Sequence, residues 1–300
     1  MVKNRKILIS TLSVIFVISM LIVSTATAVD EAKSKEHYNT GIKAKQEGNI
    51  DAAIIAYKGS IGQNPNFVDP YINLGAIYFE QKNYQDALDM FKKASEIDKT
   101  NLDAFKNLGA IELKLKHYAE AETALTTALS LKPKDSELLK SLAKVHYYKK
   151  NYNGLVETLS KCHANGGGDQ LSYFMLGKGY QKLKKNSDAI TALKKSIELK
   201  KDNYNALFTL GQIYLGQEKF SLAASAFKNA LKAKPKKYLA AYNYAIAVES
   251  SDPDNVNANI SVWESFVKVA KNKAKARTQL TQAQSHLKDL RELKEAKDLQ

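Results

Sequence analysis

Few residues in this chain have the types and spacing that chemistry needs. Cys162 is the one cysteine in 300 residues, which excludes a disulfide framework, a Cys-rich zinc site and an iron–sulfur cluster within one chain. Five histidines stand at 37, 117, 146, 163 and 286. None is spaced i,i+3 or i,i+4 from another, the spacing that sets two imidazoles on one helix face for a metal. The motifs GxSxG, HExxH, GxxxxGK[ST] and a GxGxxG between strand and helix are absent. Gly166-Gly167-Gly168 follows no strand and lacks the lysine of a phosphate loop. Carboxylates are plentiful but fall at spacings that belong to exposed helix faces. No catalytic activity, metal or cofactor is expected.

What remains is positive charge. Lys and Arg number 45 against 31 for Asp and Glu, a formal net charge of +14, and the pI is near 9.4. Such a chain suits anionic partners, whether phosphate, carboxylate or lipid headgroup. The charge is spread along the sequence rather than packed into one nucleic-acid-binding tail. At 44% hydrophobic and 25% charged the composition is that of folded protein. Five prolines in the whole chain suit long helices.

The elements that must position these lysines follow a 34-residue period. Thr40-Gly41, Leu74-Gly75, Leu108-Gly109, Leu142-Ala143, Leu176-Gly177, Leu210-Gly211 and Tyr244-Ala245 lie on one ruler with no insertion. Twelve residues after the small residue come Ala53, Ala87, Ala121, Leu155, Ala189 and Ala223, and four further on Tyr57, Phe91, Leu125, Leu159, Leu193 and Phe227. Apolar residues recur at i, i+3, i+4 and i+7 in two runs per unit, so each unit reads as two amphipathic helices. The small residues are expected where helix backbones approach closely. Lys82, Lys116, Lys150 and Lys184 are expected late in the first helices, where positive charge suits the dipole. Polar turns such as Gln81-Lys82-Asn83-Tyr84 separate the helices, and Pro65, Pro133 and Pro235 end units.

This aromatic…Leu-Gly…Tyr…Ala…Phe…Pro pattern resembles the tetratricopeptide repeat (TPR). The units are 34–67, 68–101, 102–135, 136–169, 170–203, 204–237 and a variant 238–271. The match is closest at 68–101 and 204–237 and weakest at 136–169. The resemblance implies an all-α, right-handed superhelical solenoid of about seven helix-turn-helix repeats. It also implies that the first helix of each pair lines a concave groove that binds a protein or peptide. On the family's groove positions lie Lys106, Lys140, Lys144, Tyr147, Phe174, Lys178 and Phe208, with Phe79, Lys114, Tyr148 and Lys182 beside them. Lysine would supply charge and the aromatics area for a partner with acidic character. The family's chaperone-binding clamp needs Lys-x-x-x-Asn. Here Lys106 is followed by Ala110 and Lys140 by Lys144, so that clamp is absent.

Two units break the pattern. Unit 136–169 ends Ala164-Asn165-Gly166-Gly167-Gly168-Asp169, which is either a hinge between repeats or an elongated turn. Cys162 takes the place of Ser60, Ala94, Ala128, Ser196 and Ala230, so it reads as a small core residue rather than a reactive thiol. In the seventh unit the inter-helix turn lengthens to Ser250-Ser251-Asp252-Pro253-Asp254-Asn255. A last helix over 273–298 carries Leu280, Ala283, Leu287 and Leu290 on one stripe. It reads as the polar-faced cap that a solenoid end requires, or as a coiled-coil seam for a second copy of the chain.

The first 28 residues read as a secretory signal peptide. Lys3, Arg5 and Lys6 precede an apolar or hydroxylic run from Ile7 to Val23, and Ala26-x-Ala28 supplies a cleavage site. The alternative is an uncleaved anchor over 7–23, which is short for a span. Either reading places the chain outside the cytoplasm, in the periplasm or cell envelope, away from nucleic acid. The expectation is an exported, non-catalytic scaffold serving assembly of an envelope complex, with membrane-surface contact as a further role for its charge. The alternatives are a membrane-anchored assembly factor and a self-assembling structural protein.

Overall fold

A computed structural model describes residues 29–299. The signal-peptide expectation falls on residues 1–28, which lie outside the described residues. The described chain is all helix, with fifteen α-helices, one 3-10 turn and no strand among the described residues. Two compact units divide between Leu131 and Lys132. The first contains α1 (Glu31–Gln46), α2 (Ile50–Gln63), α3 (Val68–Glu80), α4 (Tyr84–Ile97), α5 (Leu102–Leu115) and α6 (Tyr118–Leu131). The second contains α7 (Ser136–Tyr148), α8 (Tyr152–Ala164), α9 (Gln170–Lys182), α10 (Asn186–Leu199), α11 (Tyr204–Gly216), α12 (Phe220–Ala233), α13 (Tyr238–Ser251), α14 (Val256–Ala270) and α15 (Arg277–Asp298). From α3 to α13 the first helices begin 34 residues apart, and from α2 to α12 so do the second helices. The longer loop delays α14 by two residues.

Local chemistry sets these limits. Asn101, Asp135, Asp169 and Asn203 precede first helices and accept hydrogen bonds from first-turn N–H groups, which satisfies donors the helix cannot. Each first helix from α1 to α11 ends on a left-handed residue: Gly48 (φ 78°), Lys82 (65°), Lys116 (68°), Lys150 (59°), Lys184 (60°) and Glu218 (56°). The N–H of the following residue then reaches five residues back, as from Asn83 to Tyr78 at 2.8 Å and from Lys185 to Tyr180 at 2.9 Å. This is a Schellman-type stop. The lysines expected within the helix ends therefore lie in the turns, in a backbone conformation that favours glycine.

The core repeats with the same period. Ala53, Ala87, Ala121, Leu155, Ala189 and Ala223 are all fully buried. The small residues of the first helices lie under a partner-helix side chain, with partner backbone also close at Gly109 (Leu125 N, 3.4 Å) and Gly177 (Ala189 O, 3.3 Å). A Cβ on Gly41, Gly75, Gly109, Gly177 or Gly211 would come within 2.6–2.8 Å of Tyr57, Phe91, Leu125, Leu193 or Phe227, sixteen residues on. The nearest obstacle in each case is a side chain of the partner helix laid over the glycine. One further row is polar. Ser60 and Ser196 donate to the carbonyls of Ser34 (2.8 Å) and Gln170 (2.7 Å), each 26 residues earlier. Cys162 repeats this bond to Ser136 O at 3.6 Å with its thiol.

The final helix closes the second unit. Ala283, Leu287 and Leu290 of α15 are buried in one cluster with Trp263 and Phe266 of α14. Glu249 accepts from Trp263 Nε1 at 2.8 Å and lies 2.8 Å from His286 Nε2. The stripe considered for a coiled coil is thus covered from within the chain. Among the described residues no helix is long and apolar enough to cross a membrane.

Candidate partner-binding face

In the second unit the first helices α7, α9, α11 and α13 pack side by side, each touching the next. These helices carry six of the seven expected residues. Tyr147 and Phe174 pack on the cluster built from Leu155, Leu159 and Met175. Phe174 and Phe208 also pack on the next cluster, around Leu193 and Phe227. Phe174 thereby links two repeats, and Phe208 extends the row by stacking on Tyr204 at 5.7 Å. Tyr147 meets Tyr148 edge-on at 5.8 Å, and Tyr148 is 55% exposed. Lys106 is exposed on α5, in the first unit.

The lysines of this face are not equivalent. Lys140 forms ion pairs with Glu137 and, at 3.0 Å, with Asp169. The hydrogen bond to Glu137 leads the effects that push its ammonium up to about 12. Its charge is neutralised within the protein, so it is a structural tie between α7 and the cap of α9 rather than a receptor for a ligand. Lys178 is the opposite case. It is half-buried, donates to Gln181 Oε1 at 2.9 Å and makes no ion pair among the described residues. Burial, then the charge of Lys182, holds its ammonium below the ordinary lysine range. A desolvated cation beside a second cation favours an incoming carboxylate or phosphate. Lys144 is exposed, without an ion pair among the described residues, and lines a small cavity of about 100 Å³ with Lys140, Leu159 and Met175.

Tetratricopeptide-repeat models match residues 78–145 in one case and 38–101, 174–235 and 208–254 in another. The chain belongs to the tetratricopeptide repeat family. Solved structures agree on the fold. The C-terminal part of a TPR protein from Cytophaga hutchinsonii is 20% identical, with a TM-score of 0.63 over 72% of this chain and 85% of that one. PilF of Pseudomonas aeruginosa is 16% identical, with a TM-score of 0.59 over 75% and 99%. MamA of Desulfovibrio magneticus RS-1 is 20% identical, with a TM-score of 0.52 over 57% and 97%. No curated protein sequence matches the chain significantly.

Two of the three glycines that break the TPR pattern are packed, and Gly166, with open space around it, takes a left-handed φ of 78°. A Cβ on Gly167 would lie 2.3 Å from Ser136 Oγ and 2.7 Å from Cys162 Sγ, and one on Gly168 would lie 2.8 Å from the Tyr173 ring. Gly167 N donates to Cys162 O at 2.9 Å. Asp169 and Ser172 form a reciprocal capping box, and His163 Nε2 lies 2.9 Å from Ser172 Oγ. The two-unit division falls at 131/132, one repeat before this run. Cys162 is fully buried, and burial raises its thiol above the ordinary range. Among the described residues no group of three or more His, Cys, Asp or Glu is placed to hold a metal ion.

Proposed function

We propose that this protein is an exported, non-catalytic TPR scaffold that binds a protein or peptide partner on the first-helix face of its second unit. The observation that carries the reading is Lys178: a half-buried ammonium with Lys182 beside it, Phe174 on the same helix and no carboxylate paired to it among the described residues. A partner carboxylate arriving there replaces lost hydration, while Tyr147, Phe174 and Phe208 supply contact area. Placement in a cell-envelope assembly rests on the basic, apolar and small-residue order of residues 1–28. Retention of 7–23 as an anchor rests on the same run, and the mass of the native protein separates the two.

The test is a crosslinking pull-down from cell envelopes with this protein as bait. The comparison bait carries Lys144→Glu, Lys178→Glu and Lys182→Glu and is checked for unchanged helicity. Lys140 is left intact because it ties α7 to α9. Loss of a captured partner with the variant supports the face; retention by both baits sends the binding surface elsewhere.

A further inference from the structure

A second charged surface lies where the last inter-repeat turns meet. The chain has no Asp or Glu from 219 to 248, nor from 265 to 288. The fold brings the two acid-free stretches together. Lys234, Pro235, Lys236 and Lys237, in the turn after α12, line one open cleft of about 460 Å³ with Lys273, in the turn after α14. Lys234 and Lys237 both stand over the Tyr204 ring, at 5.5 and 5.8 Å. Tyr238, at the same repeat position as Tyr204, reaches the following turn through its hydroxyl, which donates to Lys275 O at 3.4 Å. The opening tyrosines thus string three successive turns along one edge.

This edge is built against its own stability. Asn101, Asp135, Asp169 and Asn203 cap the earlier first helices, and Lys132 and Lys140 are paired with two of those carboxylates. Two equivalent positions lack a side-chain cap, Phe67 before α3 and Lys237 before α13, and of the six only Lys237 puts a cation there. A cation there opposes the helix dipole and leaves first-turn donors open. None of Lys234, Lys236, Lys237 and Lys273 makes an ion pair among the described residues. Leu239, two residues after Lys237, and Leu199, at the end of α10 before the preceding turn, are 43% and 49% exposed.

We propose that this edge of the second unit docks on an anionic membrane surface. Unpaired lysines match lipid phosphates, and the two leucines enter the headgroup boundary. A purely charged soluble chain such as polyglutamate would match the lysines but offer the leucines no apolar surface. The inference is independent of the partner face.

The test measures binding of the full chain to vesicles of phosphatidylcholine with about one-third phosphatidylglycerol, at fixed salt. Pure phosphatidylcholine vesicles give the baseline, including whatever residues 7–23 contribute. One variant carries Lys234→Glu, Lys236→Glu and Lys237→Glu. A charge-matched control carries Lys35→Glu, Lys92→Glu and Lys99→Glu, all exposed in the first unit. The edge variant is expected to lose affinity about a hundredfold or more, at roughly fivefold per lysine. The control is expected to stay within a few-fold. Lys237→Asn separates folding from binding: it is expected to raise thermal stability while weakening vesicle binding. Equal losses in edge and control variants would reduce the effect to net charge and overturn the proposal. So would an edge variant that binds as before, or a wild type that binds soluble polyglutamate or DNA but not anionic vesicles. Inorganic phosphate at millimolar concentration is expected to leave vesicle binding intact beyond its ionic strength; specific displacement by it would assign the cleft to free phosphate instead.

Discussion

The left-handed turn residues allow a test in which the repeat supplies its own control. Six equivalent positions share one backbone conformation; one is glycine and five are not. A left-handed conformation costs an L-residue about 1–2 kcal/mol, and glycine is spared it. Glycine forfeits roughly 0.5–1 kcal/mol through its greater freedom when unfolded. The lysines also interact with the C-terminal helix dipole, worth about 0.3–1 kcal/mol at a surface. The terms nearly cancel, so Lys82→Gly is expected to change stability by no more than about 1 kcal/mol in either direction. Lys82→Ala, which keeps the strain and loses the charge, is expected to be the less stable by about 1 kcal/mol. Gly48→Ala measures the same quantity in reverse. A Cβ there meets nothing within 4 Å, so its expected loss of about 1 kcal/mol is backbone energy alone. Urea unfolding of the series reads these differences as midpoint shifts of about 0.3–1 M at unchanged slope. The order Gly above Ala at both 48 and 82 supports the reasoning. An alanine at either position as stable as glycine would refute it.

Four further outcomes follow from the packing and charge. Gly211→Ala is expected to destabilise by about 1 kcal/mol, because its Cβ would sit 2.7 Å from buried Phe227, whereas Gly62→Ala, with open space around it, is expected to stabilise by about 0.5–1 kcal/mol; both are read by thermal melts. Cys162 is expected to resist thiol reagents until the protein unfolds, and Cys162→Ser to leave stability nearly unchanged, because serine makes the same carbonyl bond at 60 and 196. Desolvation pushes the Asp169 carboxyl up, but the Ser172 N–H and Lys140 together hold it below the ordinary carboxylate range. A lowered carboxyl adds stability above its unfolded value that is lost as pH falls through the folded one, so Asp169→Asn is expected to flatten the acid limb of the stability profile and to cost about 0.5 kcal/mol at neutral pH, the pair being half exposed. Glu249→Ala strands the indole N–H of the one tryptophan, so Trp263 fluorescence is expected to report earlier thermal release of α15 than in the wild type.

Much of this fold is legible in the sequence because the period is rigid. A small residue, then a small residue twelve on and a large one four after that, leaves little freedom in how two helices pair. The cause of the small residue was legible only in part. A 34-residue alignment shows that Gly75 and Phe91 keep a constant separation, but only coordinates show the ring lying on the glycine. Lys82 and its equivalents were misplaced because a lysine at a helix end looks the same in sequence whether its φ is negative or positive. The lysines of the partner face separate only partly in sequence. Lys140 and Lys178 are both Lys on groove positions; Glu137 stands three residues before Lys140, but its second carboxylate, Asp169, lies 29 residues on at the cap of α9. The basic edge did leave a trace, as two stretches without an acidic residue. That trace carried no meaning until the turns at 234–237 and 273 proved to share a cleft.

A repeat measures each of its positions several times, and this gives departures from the pattern different weights. Leu155 departs from alanine and is fully buried, so packing alone accounts for it. The Gly166–Gly168 run departs from a proline or lysine turn, and Ser136, Cys162 and Tyr173 leave no room for side chains at two of its positions. Cys162 departs from serine or alanine and keeps serine's bond. Each of these departures serves the fold. Lys237 stands apart: Asp or Asn caps this helix start at four equivalent positions, Phe67 and Lys237 leave it without a side-chain cap, and only Lys237 sets a cation there, 5.8 Å from the Tyr204 ring. A helix start that gives up its cap for a cation is a place where a binding role is to be tested. That asymmetry gives Lys237→Asn its diagnostic value: gained stability together with lost vesicle binding is the signature of a residue kept for function, and gained stability with binding unchanged would leave the edge without one.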